Sequence, residues 1–188
     1  MTLFIKKIKT VSLKDNTKKM KMLNRVLFLL FIGFGCFQVF AQESIDHKYK
    51  EFNFWIGEWN VYKHNTDSIV GKSKIESIID NKVIKETYYS TTSKYHGTSL
   101  NKYNPRTDQW EQFWVDNSGL TLHIIGNLEK GKMILQNEVI TKKGVVLNKI
   151  KWQKNSDTTV RQTWYQSTDK GQNWVTLFDG DYKPVKKN

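Results

Sequence analysis

Four histidines, His47, His64, His96 and His123, are the side chains best suited to move a proton or bind a metal near neutral pH. None has a partner at H-x-H or H-x-x-x-H spacing and none neighbours a cysteine, so no local zinc signature exists. His123 shares a face with Thr121 and Ile125, opposite Leu122 and Ile124. Turned into a lumen it is an acid, a base or a haem ligand; turned to solvent or into a packed core it is none of these. Glu111 and Asp116 flank the run "EQFWVD" at an odd separation, which puts them on opposite faces of a strand. They do not make the paired carboxylates of glycoside hydrolysis, although Asp116 alone stays open as an acid or base. There is no G-x-S-x-G, no glycine-rich phosphate loop and no H-E-x-x-H. The residues therefore name no catalytic set and no metal site.

What the chain offers instead is aromatic side chains alternating with uncharged polar ones. Trp110, Gln112, Trp114 and Asp116 share one side of a strand. So do Val146, Asn148, Ile150 and Trp152, then Val160, Gln162, Trp164 and Gln166, then Trp174, Thr176 and Phe178. Turned inward, such faces line a small-molecule cavity, with Trp110, Gln112, Trp114, His123, Trp152, Trp164 and Trp174 as its ligand-binding residues. The same tryptophans are equally able to fill a barrel solid. Lysines such as Lys142 and Lys143 fall in turns, where they are solvated; basic residues interleaved with aromatics occur in nucleic-acid binders, but the export signal described below makes nucleic acid an unexpected partner.

These side chains need strands to present them. Short β-branched and aromatic runs span residues 58 to 64, 69 to 79, 82 to 92, 96 to 103, 109 to 116, 120 to 128, 132 to 140, 145 to 154, 158 to 167 and 173 to 182. Turn clusters separate them: "NPRTD", "DNSG", "EKGK", "TKKG" and "KNSD". Pro105 sits in a turn and Pro184 in the tail, so no strand is interrupted. Ten strands joined by hairpin-length links form a meander, which hides its edges by curling into a sandwich or closing into a barrel, and the even spacing without a long crossover argues for closure. The expected fold is an all-β, antiparallel up-and-down barrel.

The first 41 residues read as an export signal: Lys18, Lys19, Lys21 and Arg25, an apolar run from Val26, and Ala41 before the cut. The run from Val26 to Val39 is 14 residues, short of the ~20 that a spanning helix needs. Cys36 follows Gly35, but Gly33 stands where a lipoprotein signal wants leucine. A translation start at Met20 or Met22 gives a signal of ordinary length. These residues hold eight of the 30 Lys and Arg and one of the 18 Asp and Glu, so residues 42–188 keep 22 basic against 17 acidic, a net +5 rather than +12. That is a mild charge for one domain. With Cys36 in the signal, the domain reaches a periplasmic or external space without disulfides and must be held by packing. All seven Trp and all eight Tyr lie in it.

The blocks "FWIGEWNVY", "GTSLNKYNPRTDQWEQFWVDNSG" and "RQTWYQSTDKGQNWVTLFDGDY" resemble a family of bacterial secreted proteins defined only as a domain of unknown function. The resemblance implies a lipocalin-like barrel and no activity. Gly57-Glu58-Trp59 is similar to the G-x-W signature of lipocalins and their calycin relatives, in which a short helical turn leads into the first strand and the Trp closes one end of the barrel. In those relatives a late-strand arginine stacks on that Trp, which makes Arg161 the expected partner of Trp59. Residues 47 to 56 are then the helical lead-in, with Gly57 as the turn. Haem-binding barrels of the nitrobindin type are a more distant likeness, and their iron-binding histidine comes near the chain's end, where this chain has none after His123. "STDKGQNW" resembles the Asp-box of sialidase-like propellers, a hairpin-folding element rather than a catalytic one. The leading expectation is an exported, non-enzymatic barrel that binds a small apolar or aromatic ligand, with no membrane span after cleavage. The alternatives are a barrel enzyme (isomerase, cyclase or hydrolase) using His123 or Asp116, a haem-binding barrel, and a structural interaction role in the envelope.

Overall fold

The computed structural model describes residues 45–186. The chain divides into two compact units between Asp46 and His47, and the second holds the barrel. The expected signal and its cleavage point lie outside the described residues. From His47 the chain runs through overlapping turns into a single 3₁₀ turn, Asn53–Trp55, and then directly into the first strand.

Ten strands follow: β1 Gly57–Lys63, β2 Ile69–Ile78, β3 Val83–Ser90, β4 His96–Asn104, β5 Gln109–Asp116, β6 Thr121–Glu129, β7 Lys132–Thr141, β8 Gly144–Lys154, β9 Val160–Ser167 and β10 Val175–Pro184. Each pairs antiparallel with its sequence neighbours, and β1 pairs with β10 from Trp59↔Pro184 to Lys63↔Gly180. That last pairing closes the barrel and removes both sheet edges, the requirement a long meander imposes. The all-β, up-and-down, ten-stranded reading of the sequence describes this architecture.

The lumen is divided by depth. At the end where β1 begins, Phe52, Trp55, Trp59, Trp110, Met133, Trp152 and Val160 are buried against one another. Phe52 stacks on Trp55 at 5.1 Å, stands edge-on to Trp110 at 5.7 Å and to Trp152 at 5.2 Å. The lead-in is therefore a stopper whose rings fill that half of the barrel. A middle layer carries buried polar groups: Ser73, Glu86, Ser99, Asn101 and Gln112. Beyond it, at the end where β1 finishes, the rings leave space.

One close approach fixes a strand pair in the wall. Gly126 on β6 faces Leu135 on β7, and a Cβ there would lie 2.0 Å from the carbonyl oxygen of Ile134. That atom belongs to the ladder and cannot retreat without breaking it. Gly126→Ala is expected to lower stability by about 2–3 kcal/mol, as overpacking does; an unchanged urea midpoint would contradict this placement.

Two sequence expectations fail here, each for a reason in the alternation. Arg161 does not stack on Trp59. It lies on β9 between Val160 and Gln162, whose side chains enter the lumen, so its own points outward. There it grips Asp179 with two hydrogen bonds, Nε to Oδ1 at 2.8 Å and Nη2 to Oδ2 at 2.7 Å. Trp59 is buried as expected, but it donates its indole N–H to the Trp55 carbonyl at 3.0 Å. Trp174 does not share an inward face with Phe178. A register shift between Thr176 and Phe178 on β10 changes the parity, and Trp174 precedes the strand, 37% exposed, with Lys149 Nζ 4.5 Å above its ring. The Asp-box turn itself is built: Ser167 Oγ donates to Asp169 Oδ1 at 2.7 Å, and the Asn173 amide donates to the same oxygen at 2.9 Å.

Candidate functional site: a half-open lumen with a buried carboxyl

The space at the far end of the barrel is a cavity of about 650 Å³. Its walls include Tyr88, Tyr95, Trp114, Trp164, Phe178 and Leu122, with Gln112, Gln162 and Glu86 deeper in. Three of these rings are seated by glycines in the wall. A Cβ at Gly71 would fall 2.3 Å from the Tyr88 hydroxyl, one at Gly97 2.3 Å from the Trp114 ring and one at Gly180 2.6 Å from the Phe178 ring. Missing side chains thus let Tyr88, Trp114 and Phe178 lie against the wall rather than across the lumen, and the cavity stays open for that reason. The upper rings are pinned by hydrogen bonds. Tyr95 Oη and Trp114 Nε1 both donate to Asp116 Oδ2, at 2.8 and 2.9 Å, and Trp164 Nε1 donates to Asn148 Oδ1 at 3.1 Å.

Glu86 lies on β3 between Ile84 and Tyr88, 2% exposed. Ser73 Oγ donates to its Oε1 at 2.8 Å and Ser99 Oγ approaches its Oε2 at 3.5 Å. The Tyr182 hydroxyl lies 3.4 Å from Oε1 and makes a much shorter bond to Gln162 Oε1. A phenol has one hydrogen, so it is shared unequally between these two acceptors, the shorter contact to Gln162 taking the larger part and Glu86 the weaker. Behind Ser99 the chain of donors continues: Asn101 Nδ2 donates to Ser99 Oγ at 2.9 Å, and Gln112 Nε2 donates to Asn101 Oδ1 at 2.7 Å. Burial raises the Glu86 pKa from its ordinary 4.5 to about 7, outweighing the hydrogen bonds from Ser73, Tyr182 and Ser99 that pull it down. No salt bridge among the described residues includes it.

The residues expected to line a ligand site divide four ways. Gln112, Trp114 and Trp164 line the cavity. Trp110 and Trp152 point inward but belong to the stopper, where Trp110 Nε1 donates to Glu51 Oε2 at 3.2 Å. Trp174 is on the outer surface, as described above. His123 is outward as well, 48% exposed on the far side of β6 from Leu122 and Ile124, stacked on Phe113 at 4.0 Å with Glu111 Oε2 3.9 Å away. It cannot reach the lumen as acid, base or iron ligand. Asp116 is unsuited to proton transfer for a different reason. Partial burial pushes its pKa up, but donors from Ser118, Trp114 and Tyr95 win and hold it at about 2, permanently charged near neutrality.

Glu86 was the residue missed. Its signal was present in "VIKETYY", where an acid occupies an inward position between Ile84 and Tyr88. The glycines within strands carried a second signal, since an isolated strand glycine marks a close approach. Among the described residues no three His, Cys, Asp or Glu side chains converge as a metal site would require, and no helix is long and apolar enough to cross a membrane. No protein-family model matches this chain, and no curated protein matches it.

Proposed function

We propose that this protein is an exported, lipocalin-like barrel that binds a small, largely apolar or aromatic molecule in its lumen. The observation that carries the reading is the cavity of about 650 Å³ walled by Trp114, Trp164, Tyr88 and Phe178. That volume lies within the range of small-molecule sites, and its mix of rings with a few polar groups is theirs as well. The stopper closes one end, so a ligand enters from the end where Lys63, Thr92 and Leu177 line the cavity. Export, to the periplasm or outside the cell, rests on the charged and apolar pattern of the first 41 residues.

Titration with the neutral probe N-phenyl-1-naphthylamine tests the binding. We expect one saturable site, quenching of protein tryptophan emission, and an affinity reduced roughly tenfold in Trp164→Ala through loss of stacking and area. Tryptophan emission that does not change through the titration would sink the proposal.

A further inference from the structure

The lumen holds a carboxyl that has no counter-ion among the described residues. Glu86 receives only hydroxyls, from Ser73, Ser99 and Tyr182, whereas buried carboxylates elsewhere in proteins are paired or metal-bound. Among the described residues, the strands around it present to it neutral polar side chains and no cation. β2 offers Ser73, β4 Ser99 and Asn101, β5 Gln112, β9 Gln162 and β10 Tyr182. The charged groups lining the same cavity are Lys63, His64 and Asp179. Lys63 and His64 stand at the mouth, where β1 ends, and His64 is held by Asp181 at 2.9 Å while Asp179 is held by Arg161. The phenols of Tyr88, Tyr95 and Tyr182 are all raised by burial and stay neutral. The space in front of Glu86 is walled by Tyr88, Trp114, Trp164 and Phe178, whose ring faces carry negative potential. A carboxyl at the end of an aromatic sleeve is complementary to an ammonium group on an apolar body, which gains both the ion pair and cation–π contact.

From this arrangement we infer that the ligand is an organic amine, its ammonium group bonded to Glu86 and its apolar or aromatic body in the sleeve of Tyr88, Trp114, Trp164 and Phe178. The inference rests on the lumen-binding reading and narrows it to a chemical class. Below pH 7 the carboxyl is protonated before binding, so seating an ammonium ion releases its proton to the solvent. A neutral alcohol of the same shape binds in the same sleeve without this release and more weakly.

Matched pairs provide the test: tryptamine against tryptophol, and 1-naphthylmethylamine against 1-naphthalenemethanol, titrated by calorimetry at pH 8 and pH 6. At pH 8 each amine is expected to bind about tenfold to a hundredfold more tightly than its alcohol, the range for a hydrogen bond to a charged group. At pH 6 amine binding should release close to one proton, seen as a heat that varies with the buffer's ionisation enthalpy, and alcohol binding none. Glu86→Gln should erase the preference and the proton release while still binding the alcohols, which also shows that the variant is folded. Equal affinity for amine and alcohol, or a preference that survives Glu86→Gln, overturns the amine assignment and leaves lumen binding standing. Failure of both members of both pairs to bind overturns the two together.

Discussion

Trp55→Ala is expected to lower the stability of the barrel by about 3–5 kcal/mol, the usual cost of deleting a fully buried tryptophan. Total stability for a domain is about 5–15 kcal/mol, so this one substitution removes a large share of it. The cause is the position of Trp55 at the centre of the stopper. It stacks on Phe52, lies 5.5 Å from Trp152 and 6.0 Å from Tyr182, and its carbonyl accepts the Trp59 indole. Removing it opens a cavity that rings on three different elements border, and those rings cannot collapse inward while the strands hold them. A melting temperature lower by on the order of 10 °C would accompany the change. Trp55→Phe is expected to cost much less. It keeps a ring in the stack and deletes an indole N–H that is buried without a hydrogen-bond partner. The stopper and the cavity occupy opposite ends of the lumen, so the folded fraction of Trp55→Ala should bind the apolar probe normally. A Trp55→Ala protein as stable as its parent would show that the aromatic end is not what holds the barrel together.

Stability should also fall as pH rises from about 4.5 to about 7, by about 3 kcal/mol, and Glu86 is the reason. In the unfolded chain this carboxyl ionises near its ordinary 4.5, whereas in the barrel burial holds the proton until about 7. Between those values the folded state binds more protons than the unfolded state, so each rise in pH favours unfolding. Below 4.5 both states are protonated there and the penalty disappears. Asp116 and Asp169 act in the opposite sense. Both have pKa values lowered to about 2, so the stability they add is present above the ordinary carboxylate range and is lost as pH falls towards 2. The resulting curve has its maximum near pH 4 to 5, lower than is usual for proteins. Glu86→Gln, which is isosteric and cannot ionise, should flatten the upper limb and be more stable than the parent at pH 8. Urea midpoints that do not change between pH 4.5 and 7 would refute the assignment of a buried, proton-holding Glu86.

That pH cost supports the proposed role of the carboxyl in binding. A leucine or glutamine in this place would pack the middle layer without a penalty at neutral pH. The barrel carries Glu86 at the point where stopper gives way to cavity, facing the space that the glycine-seated rings leave open. Polar groups that cost stability and line a cavity are the mark of a site.

The positions of the ten strands, their order and the inward or outward direction of most side chains were legible in the residues themselves. Strand alternation has a period of two, and turns such as "NPRTD" and "EKGK" declare themselves within a few residues, so both are local properties. Barrel closure followed from the number of strands and the need to hide edges. Tertiary structure alone decided which inward tryptophans fill and which leave room. Trp110 and Trp114 share one face of β5, yet the first lies under Phe52 in the stopper and the second walls the cavity beside Gly97. Depth along the barrel axis depends on strand stagger and on where the lead-in folds back, and neither is written within any one strand. The same holds for Trp174, displaced by one shifted residue in β10, and for Arg161, whose partner Asp179 comes from the neighbouring strand. Glu86 combines both kinds of information. Its inward direction was local, but its isolation from the cations among the described residues is a property of six strands brought together.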